Sequence, residues 1–393
     1  MSTLFTLDDT RGQSAKLKVI GVGGGGGNAL NNMIDQRLRG VDFIIANTDA
    51  QAIEMSGADI KIQLGTDITR GLGAGADPQT GKVAAEAERE HLREVLADTD
   101  MVFITAGMGG GTGTGGAPVI AEVAKELGVL TVAVVTKPFG FEGKRRMRQA
   151  DAGIAELAKY VDTLIIIPNQ KLIGAVGKNT TMLEAFRKAD DVLLQAVRGI
   201  AELITHTGYM NVDFADVKAV MSDTSGMAMM GSGGASGESR ACEAAERAIS
   251  SPLLEDVDIH GARGILVNVT GNEDMTLAEY DEAISIIHNM ADEDANIICG
   301  MVYDESAGDE LRVTVVATGL VGEAIPRLST VSAAPEVTKA PVMPMMLGSG
   351  GDSIPIAGSE MGTTAAAAVA TGHNPAYDED LYAIPTWVRK QAD

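Results

Sequence analysis

Six short apolar runs mark the first half of the chain, at 17–22 (LKVIGV), 42–47 (DFIIAN), 60–64 (IKIQL), 101–105 (MVFIT), 130–136 (LTVAVVT) and 163–168 (TLIIIP). Each is bounded by turn-forming residues. Longer stretches with helical spacing lie between most of them, such as 81–97 and 117–127. Strands that are apolar almost throughout, alternating with helices, predict a parallel sheet covered on both faces. Residues 181–206 then carry apolar positions at helical spacing over about seven turns, enough to connect two domains. Further runs at 265–270, 296–303 and 311–319 read as strands, with helices at about 238–250 and 276–291. The pattern divides the chain into a flexible start (1–16), an α/β domain (17–180), the connecting helix (181–206), a loop with the start of a further helix (207–222) and a smaller α+β domain (223–320).

Past that point the periodicity stops. Residues 321–377 are rich in Pro, Ala, Gly, Ser and Thr and bury too little apolar surface to offset chain entropy, which predicts a disordered linker. A random coil of that length spans roughly 40 Å. The final segment, 378–393 (DEDLYAIPTWVRKQAD), regains large apolar side chains. A hydrophobic peptide on a flexible arm predicts a partner-docking motif.

Charge narrows the function classes. A formal net charge of −23 and a pI near 4.6 argue against a nucleic-acid partner. They do not argue against phosphate, because backbone N–H groups hold phosphates without basic side chains. The two cysteines, Cys242 and Cys299, lie far apart in apolar company and predict buried free thiols. The first residues do not read as a signal peptide, and no run reaches the roughly 18 apolar residues of a membrane span. A cytoplasmic location without membrane insertion is therefore expected.

Two glycine-rich loops follow predicted strands. The first, 21–30 (GVGGGGGNAL), precedes a helix that carries Met33, Ile34 and Leu38. Gly21, Gly23 and Gly26 satisfy G-x-G-x-x-G, and Asp49 lies near the acidic position of a dinucleotide fold, so a nicotinamide enzyme is a real alternative. The second, 107–116 (GMGGGTGTGG), precedes an amphipathic helix with Pro118 expected in its first turn. Two such loops suit a longer phosphate chain gripped from both sides, with Thr112 and Thr114 adding hydroxyls for phosphate or a Mg²⁺-bound water. The usual P-loop, G-x-x-x-x-G-K-[ST], is absent, as is N-K-x-D.

The motifs GGGTGTG (109–115), GVGGGGGNA, NTDAQA (47–52), GLGAGA (71–76), KPFGFEGKRR (137–146) and NVDFADV (211–217) resemble the tubulin/FtsZ family over about residues 15–320, and again at 380–393. The resemblance implies a tubulin-like fold: a Rossmann-type parallel-sheet GTPase domain, a long central helix, a smaller α+β C-terminal domain and a disordered tail. It implies a GTPase of the bacterial division ring that polymerises head to tail at mid-cell. By the same resemblance Gly24, Gly25, Gly26, Gly27 and Asn28 contact the nucleotide, and Gly110, Gly111, Thr112 and Gly113 wrap its phosphates. Gly75 and Ala76 close over the γ-phosphate, while Glu142 and Arg146 lie near sugar and phosphates. Asp190 takes the base-facing position on the central helix. A carboxylate there accepts from guanine N1–H and the 2-amino group, which adenine lacks. Phe186 lies one turn earlier and shares that face.

Asp213 and Asp216 stand three apart near an expected helix start, where helix capping alone favours acids. The resemblance places them, with Asn211, on the face opposite the nucleotide, where they polarise the water that attacks GTP bound to the next subunit. GTP or GDP is the implied cofactor, with Mg²⁺ held mainly through phosphates and water and no protein metal ligand. Leu381, Ile384, Pro385 and Trp387 are the implied anchors of the docking peptide, and Arg389 and Lys390 its positive charge. Its implied partners are membrane tethers such as FtsA and other ring regulators. A non-hydrolysing tubulin-like filament and a Rossmann oxidoreductase are the alternatives from other classes.

Overall fold

The computed structural model describes residues 15–175, 180–205, 212–222, 226–254 and 261–320. The strands are β1 (Leu17–Val22), β2 (Val41–Asn47), β3 (Ile60–Gln63), β4 (Met101–Gly107), β5 (Leu130–Lys137), β6 (Thr163–Pro168), β7 (Gly226–Ser236), β8 (Gly264–Gly271), β9 (Asn296–Tyr303) and β10 (Glu310–Thr318). They form one sheet in the order β3-β2-β1-β4-β5-β6-β7-β10-β8-β9. The first six are all parallel to their neighbours. Strand β7 joins them through a short parallel pairing with β6, and β10 runs antiparallel to both β7 and β8.

Around the sheet lie α1 (Gly23–Asp35), α2 (Ala50–Glu54), α3 (Thr66–Thr69), α4 (Pro78–Ala87), α5 (Arg89–Leu96), α6 (Thr112–Glu126), α7 (Lys144–Leu157), α8 (Asn169–Ala175), α9 (Met182–Thr205), α10 (Phe214–Ser222), α11 (Arg240–Ile249) and α12 (Leu277–His288). Alternation along the strands fixes the layers. Leu17, Val19, Phe103 and Val132 pack with α1 and α9 in one core. Ile20, Val22, Ile104 and Ala133 pack with α4 to α7 in another. A third core joins α11 and α12 to the antiparallel strands. The first core also takes in Ala228, Leu266 and Val316, so α9 packs on both parts of the sheet.

Several expected elements fall differently. The stretch 81–97 is two helices, broken at Glu88. Helix α6 starts five residues earlier than the apolar pattern suggested, so Pro118 lies inside it rather than in its first turn. Helix α1 starts at Gly23 and ends before Leu38. Most of the first glycine run and half of the second are thus helical. Strand β7 was not expected at all, because GMAMMGSGGAS has little apolar pattern. Its glycines have a packing cause. A Cβ on Gly231 would lie 2.0 Å from the Ala248 carbonyl, and one on Gly233 2.2 Å from that of Ala244, so only glycine admits α11 this close. Both cysteines are free but half-buried, and Cys242 lies beside Glu246 rather than among apolar groups. No described helix is long and apolar enough to cross a membrane.

Candidate functional site

The order 3-2-1-4-5-6 reverses between β1 and β4, and ligands of such sheets bind outside the strand ends at that crevice. Helices α1 and α6 begin there, α1 directly after β1 and α6 after a four-residue loop that follows β4. Neither has a side-chain cap: Val22 and Gly111 stand at the N-cap positions without a capping bond. The first N–H groups of a helix have no intrahelical partner, so two uncapped N-termini offer free donors and two positive dipole ends to one anion.

Glycine lets the two ends meet. Gly23 has φ +69°, and a Cβ on it would lie 2.8 Å from the amide N of Gly113. Gly26 presses on the Thr105 carbonyl, where a Cβ would come to 2.3 Å. On the far side of α6, Gly111 touches Ala74 and the backbone of Asp77, which brings the segment carrying Gly75 and Ala76 against the second loop. Both threonine hydroxyls have partners within the protein. Thr112 Oγ1 shares a 2.6 Å hydrogen bond with Thr48 Oγ1, and Thr114 Oγ1 accepts from Gly109 N–H at 2.8 Å. Both side chains are buried, and Thr114 braces the loop.

An open cleft continues from Gly25 and Gly107 toward α9. Glu142, Arg146, Phe186 and Asp190 all line it, as do Asn28 and Asn169. A second cleft, beside α2, is lined by Gly24, Gly27 and Asn28. Glu142 is set by its own turn: its Oε1 accepts from Phe139 N–H at 2.8 Å, and its Oε2 lies 3.3 Å from Arg146 Nε. Phe186 is held edge-on by Phe139, with ring centroids 5.2 Å apart. The start of α9 is fixed by a reciprocal cap in which Thr181 N–H donates to Glu184 and Glu184 N–H to Thr181 Oγ1. That fixes which way Phe186 and Asp190 face. Burial, with the neighbouring Asp191 charge adding to it, raises Asp190 to about 7.

Two buried asparagines were missed in the sequence. Asn169 follows β6, lines the cleft and has no partner for Oδ1 among the described residues. Asn47 ends β2, lines the second cleft and leaves Nδ2 equally free. Their place just at the carboxyl ends of strands was the available signal. Asp49 accepts from the N–H groups of Gln51 and Ala52 and so caps α2, a local use that explains an acid there without a ribose.

Asp213 and Asp216 do not line this cleft, and the adjacent Val212 packs near Gly300 of β9 beside Leu203, toward the end of α9 remote from Phe186 and Asp190. Both acids are exposed at the start of α10. The end of that helix is tied to the amino end of β6, where Thr163 Oγ1 donates to the Met221 carbonyl. The cleft opens at the opposite, carboxyl end of the strands. Asn211 and the tail residues Leu381, Ile384, Pro385, Trp387, Arg389 and Lys390 lie outside the described residues. No group of three or more His, Cys, Asp or Glu suited to a metal occurs among the described residues.

Comparisons with known proteins bear on the same segments. Residues 16–177 match the family model for the GTPase domain of the tubulin/FtsZ family, and residues 226–321 match that for the C-terminal domain of the FtsZ family. The cell division protein FtsZ of Coxiella burnetii is 60% identical over 317 residues, 81% of this chain and 82% of that protein. That of Azotobacter vinelandii is 53% identical over 399 residues, 99% of this chain and 100% of that protein. Among solved structures, an empty FtsZ dimer from M. jannaschii aligns with a TM-score of 0.75 at 48% identity, covering 78% of this chain and 88% of that one. A GTPγS-bound CetZ2 protofilament from Haloferax volcanii aligns at 0.64 with 21% identity, a likeness of fold.

Proposed function

The chain belongs to the tubulin/FtsZ family, as a GTPase of the FtsZ cell-division group, and on that premise we propose that it hydrolyses GTP only at the interface between two copies of itself. One observation carries the reading. The cleft that fits a nucleotide and the acids that fit hydrolysis lie at opposite ends of the same sheet. Head-to-tail stacking brings Asp213 and Asp216 of one subunit over the γ-phosphate held by the next. Repetition of that contact does not close and makes a filament.

In each cleft the N–H groups of α1 and α6 hold the phosphates, through the segments Gly24–Asn28 and Gly110–Gly113, and Gly75 and Ala76 cover the γ-phosphate. Glu142 and Arg146 take the sugar side. Phe186 stacks on the base, and Asp190 accepts from guanine N1–H and the 2-amino group. The acids orient and polarise the attacking water, assisted by Asn211. Amide donors suit phosphate oxygens and not a cation, so Mg²⁺ would be held through phosphates and water rather than by these protein groups, and would supply neutralising positive charge to the phosphates.

The distribution of exposed apolar side chains supports the interface. Among the exposed large apolar side chains of the described residues, Met55, Ile68, Leu72, Phe141, Ile173, Met182 and Leu183 lie in segments that follow β2, β3, β5 or β6 at the cleft end, while Val83 lies on α4 and Leu277 and Met290 lie at the two ends of α12. In the cell the filament would scaffold the division ring at mid-cell in the cytoplasm, with segment 378–393 docking on membrane tethers such as FtsA and other ring regulators. The test is phosphate release and sedimentation with GTP and Mg²⁺ across protein concentration. Activity per subunit should rise steeply above a critical concentration. Asp213→Ala should bind GTP and pellet with it while losing at least about tenfold in turnover. Activity per subunit that stays flat with concentration, or loss of GTP binding in the variant, would sink the reading.

A further inference from the structure

Asp190 and Asp191 are neighbours on α9 with different surroundings. Asp190 lines the base cleft with Phe186, Ala189 and Leu193. Asp191 turns to α1, where its Oδ1 accepts from Asn32 Nδ2 at 3.0 Å. The walls facing Asp190 supply one cation, Arg146 of α7, and one other acid, Glu142 of the turn before it, and these two pair with each other. Helices α1 and α8 contribute the uncharged Asn28 and Asn169. On α9 itself, Lys188 lines a separate groove together with Asp191, and Arg187 is exposed. Asp190 therefore faces a nucleotide pocket with no counter-charge of its own. The Asp191 carboxylate is pinned one residue away, and the two effects together hold the Asp190 proton up to about pH 7.

We propose that Asp191, held by Asn32, is a positioning residue that couples guanine binding to the release of a proton from Asp190. The proposal rests on the reading of Asp190 as the group that accepts from guanine. In the empty cleft at and below neutral pH the Asp190 carboxyl keeps its O–H, a donor set against the donors of the base. Binding breaks that O–H bond and sends the proton to solvent. Both oxygens then accept, one from N1–H and one from the 2-amino group. Asp191 does not touch the base. Burial lifts the Asp190 proton most of the way out of the acid range, and the fixed Asp191 charge strengthens the O–H further and carries the coupling to near neutrality.

Calorimetric titration of the full chain with GDP, from about pH 5.5 to about pH 8.5 in buffers of different ionisation enthalpy, tests this. Near pH 6 binding should release about one proton more than it does in Asp190→Asn, a control that shares the titration of the GDP phosphates. Affinity relative to that control should fall by roughly tenfold per pH unit below 7. In Asp191→Asn the midpoint should move down by about one unit, with affinity at the alkaline end unchanged. Identical profiles for the native chain and Asp191→Asn, or no proton release beyond that of Asp190→Asn, would overturn the coupling. Undiminished preference of Asp190→Ala for GDP over inosine diphosphate would remove the base-reading assignment itself.

Discussion

Ala76 sits at φ +58° without being glycine, at the end of a stretch in which Arg70, Gly71, Gly73 and Gly75 also have positive φ. The conformation is held from both sides. The Ala76 carbonyl accepts from Gln149 Nε2 at 3.3 Å, and Asp77 caps α4 through the N–H groups of Gln79 and Thr80. A left-handed alanine costs about 1 kcal/mol relative to glycine, more than the unfolded-state entropy that glycine adds. Ala76→Gly should therefore raise stability by up to about 1 kcal/mol, read as a higher denaturation midpoint at unchanged slope. Single residues were the scale at which the sequence was least legible. The glycines stood out because a local motif carries them, and Asp190 through the family resemblance. The hydroxyl partners of Thr112 and Thr114, Thr48 and the Gly109 N–H, were not legible, because they are set by the folded loops. Asn169 was hidden for the same reason, since an unpartnered amide is visible only once its surroundings are closed.

At the scale of elements, apolar runs identified nine of the ten strands but gave no sign of β7. Its signal is inverted: the close approach of α11 removes side chains where a strand ordinarily shows them. The same region is tied by a buried cation. Arg240, at the start of α11, reaches Glu279 at the start of α12 at 2.6 Å and the Asp309 carboxylate at 3.2 Å. The Arg240 hydrogen bonds, against a smaller opposing effect of burial, hold Glu279 down to about 2. Its pKa is thus lower in the folded chain than in the unfolded one, so its stabilisation is complete above about pH 4.5 and is lost between there and about pH 2. Glu279→Gln leaves the guanidinium short of a charge and should destabilise by about 3 kcal/mol at neutral pH. It should also flatten the loss of stability on acidification below pH 4.5, measured by denaturant unfolding across that range.

For the whole molecule, alternating strands and helices foretold a parallel sheet, and the motifs placed the crevice on it. How the antiparallel strands extend the same sheet through β7 was not legible, because it depends on an element with no apolar pattern. The cleft end carries the apolar rim, and Leu72 is its most exposed member at 82%. Leu72→Glu places a charge where a second copy is proposed to sit. It should raise the protein concentration needed for pelleting by about tenfold while GDP binding by the isolated subunit stays unchanged. The opposition of cleft and acids across the sheet has one further consequence. On the proposed split site, a lone subunit would have both halves of the chemistry and no complete site, and a filament one complete site fewer than it has members. The subunit at one tip would carry a nucleotide that nothing in the filament can cleave. The subunit at the other tip would carry acids with nothing to act on. Such a filament would have a direction, with an open nucleotide at one tip and idle acids at the other.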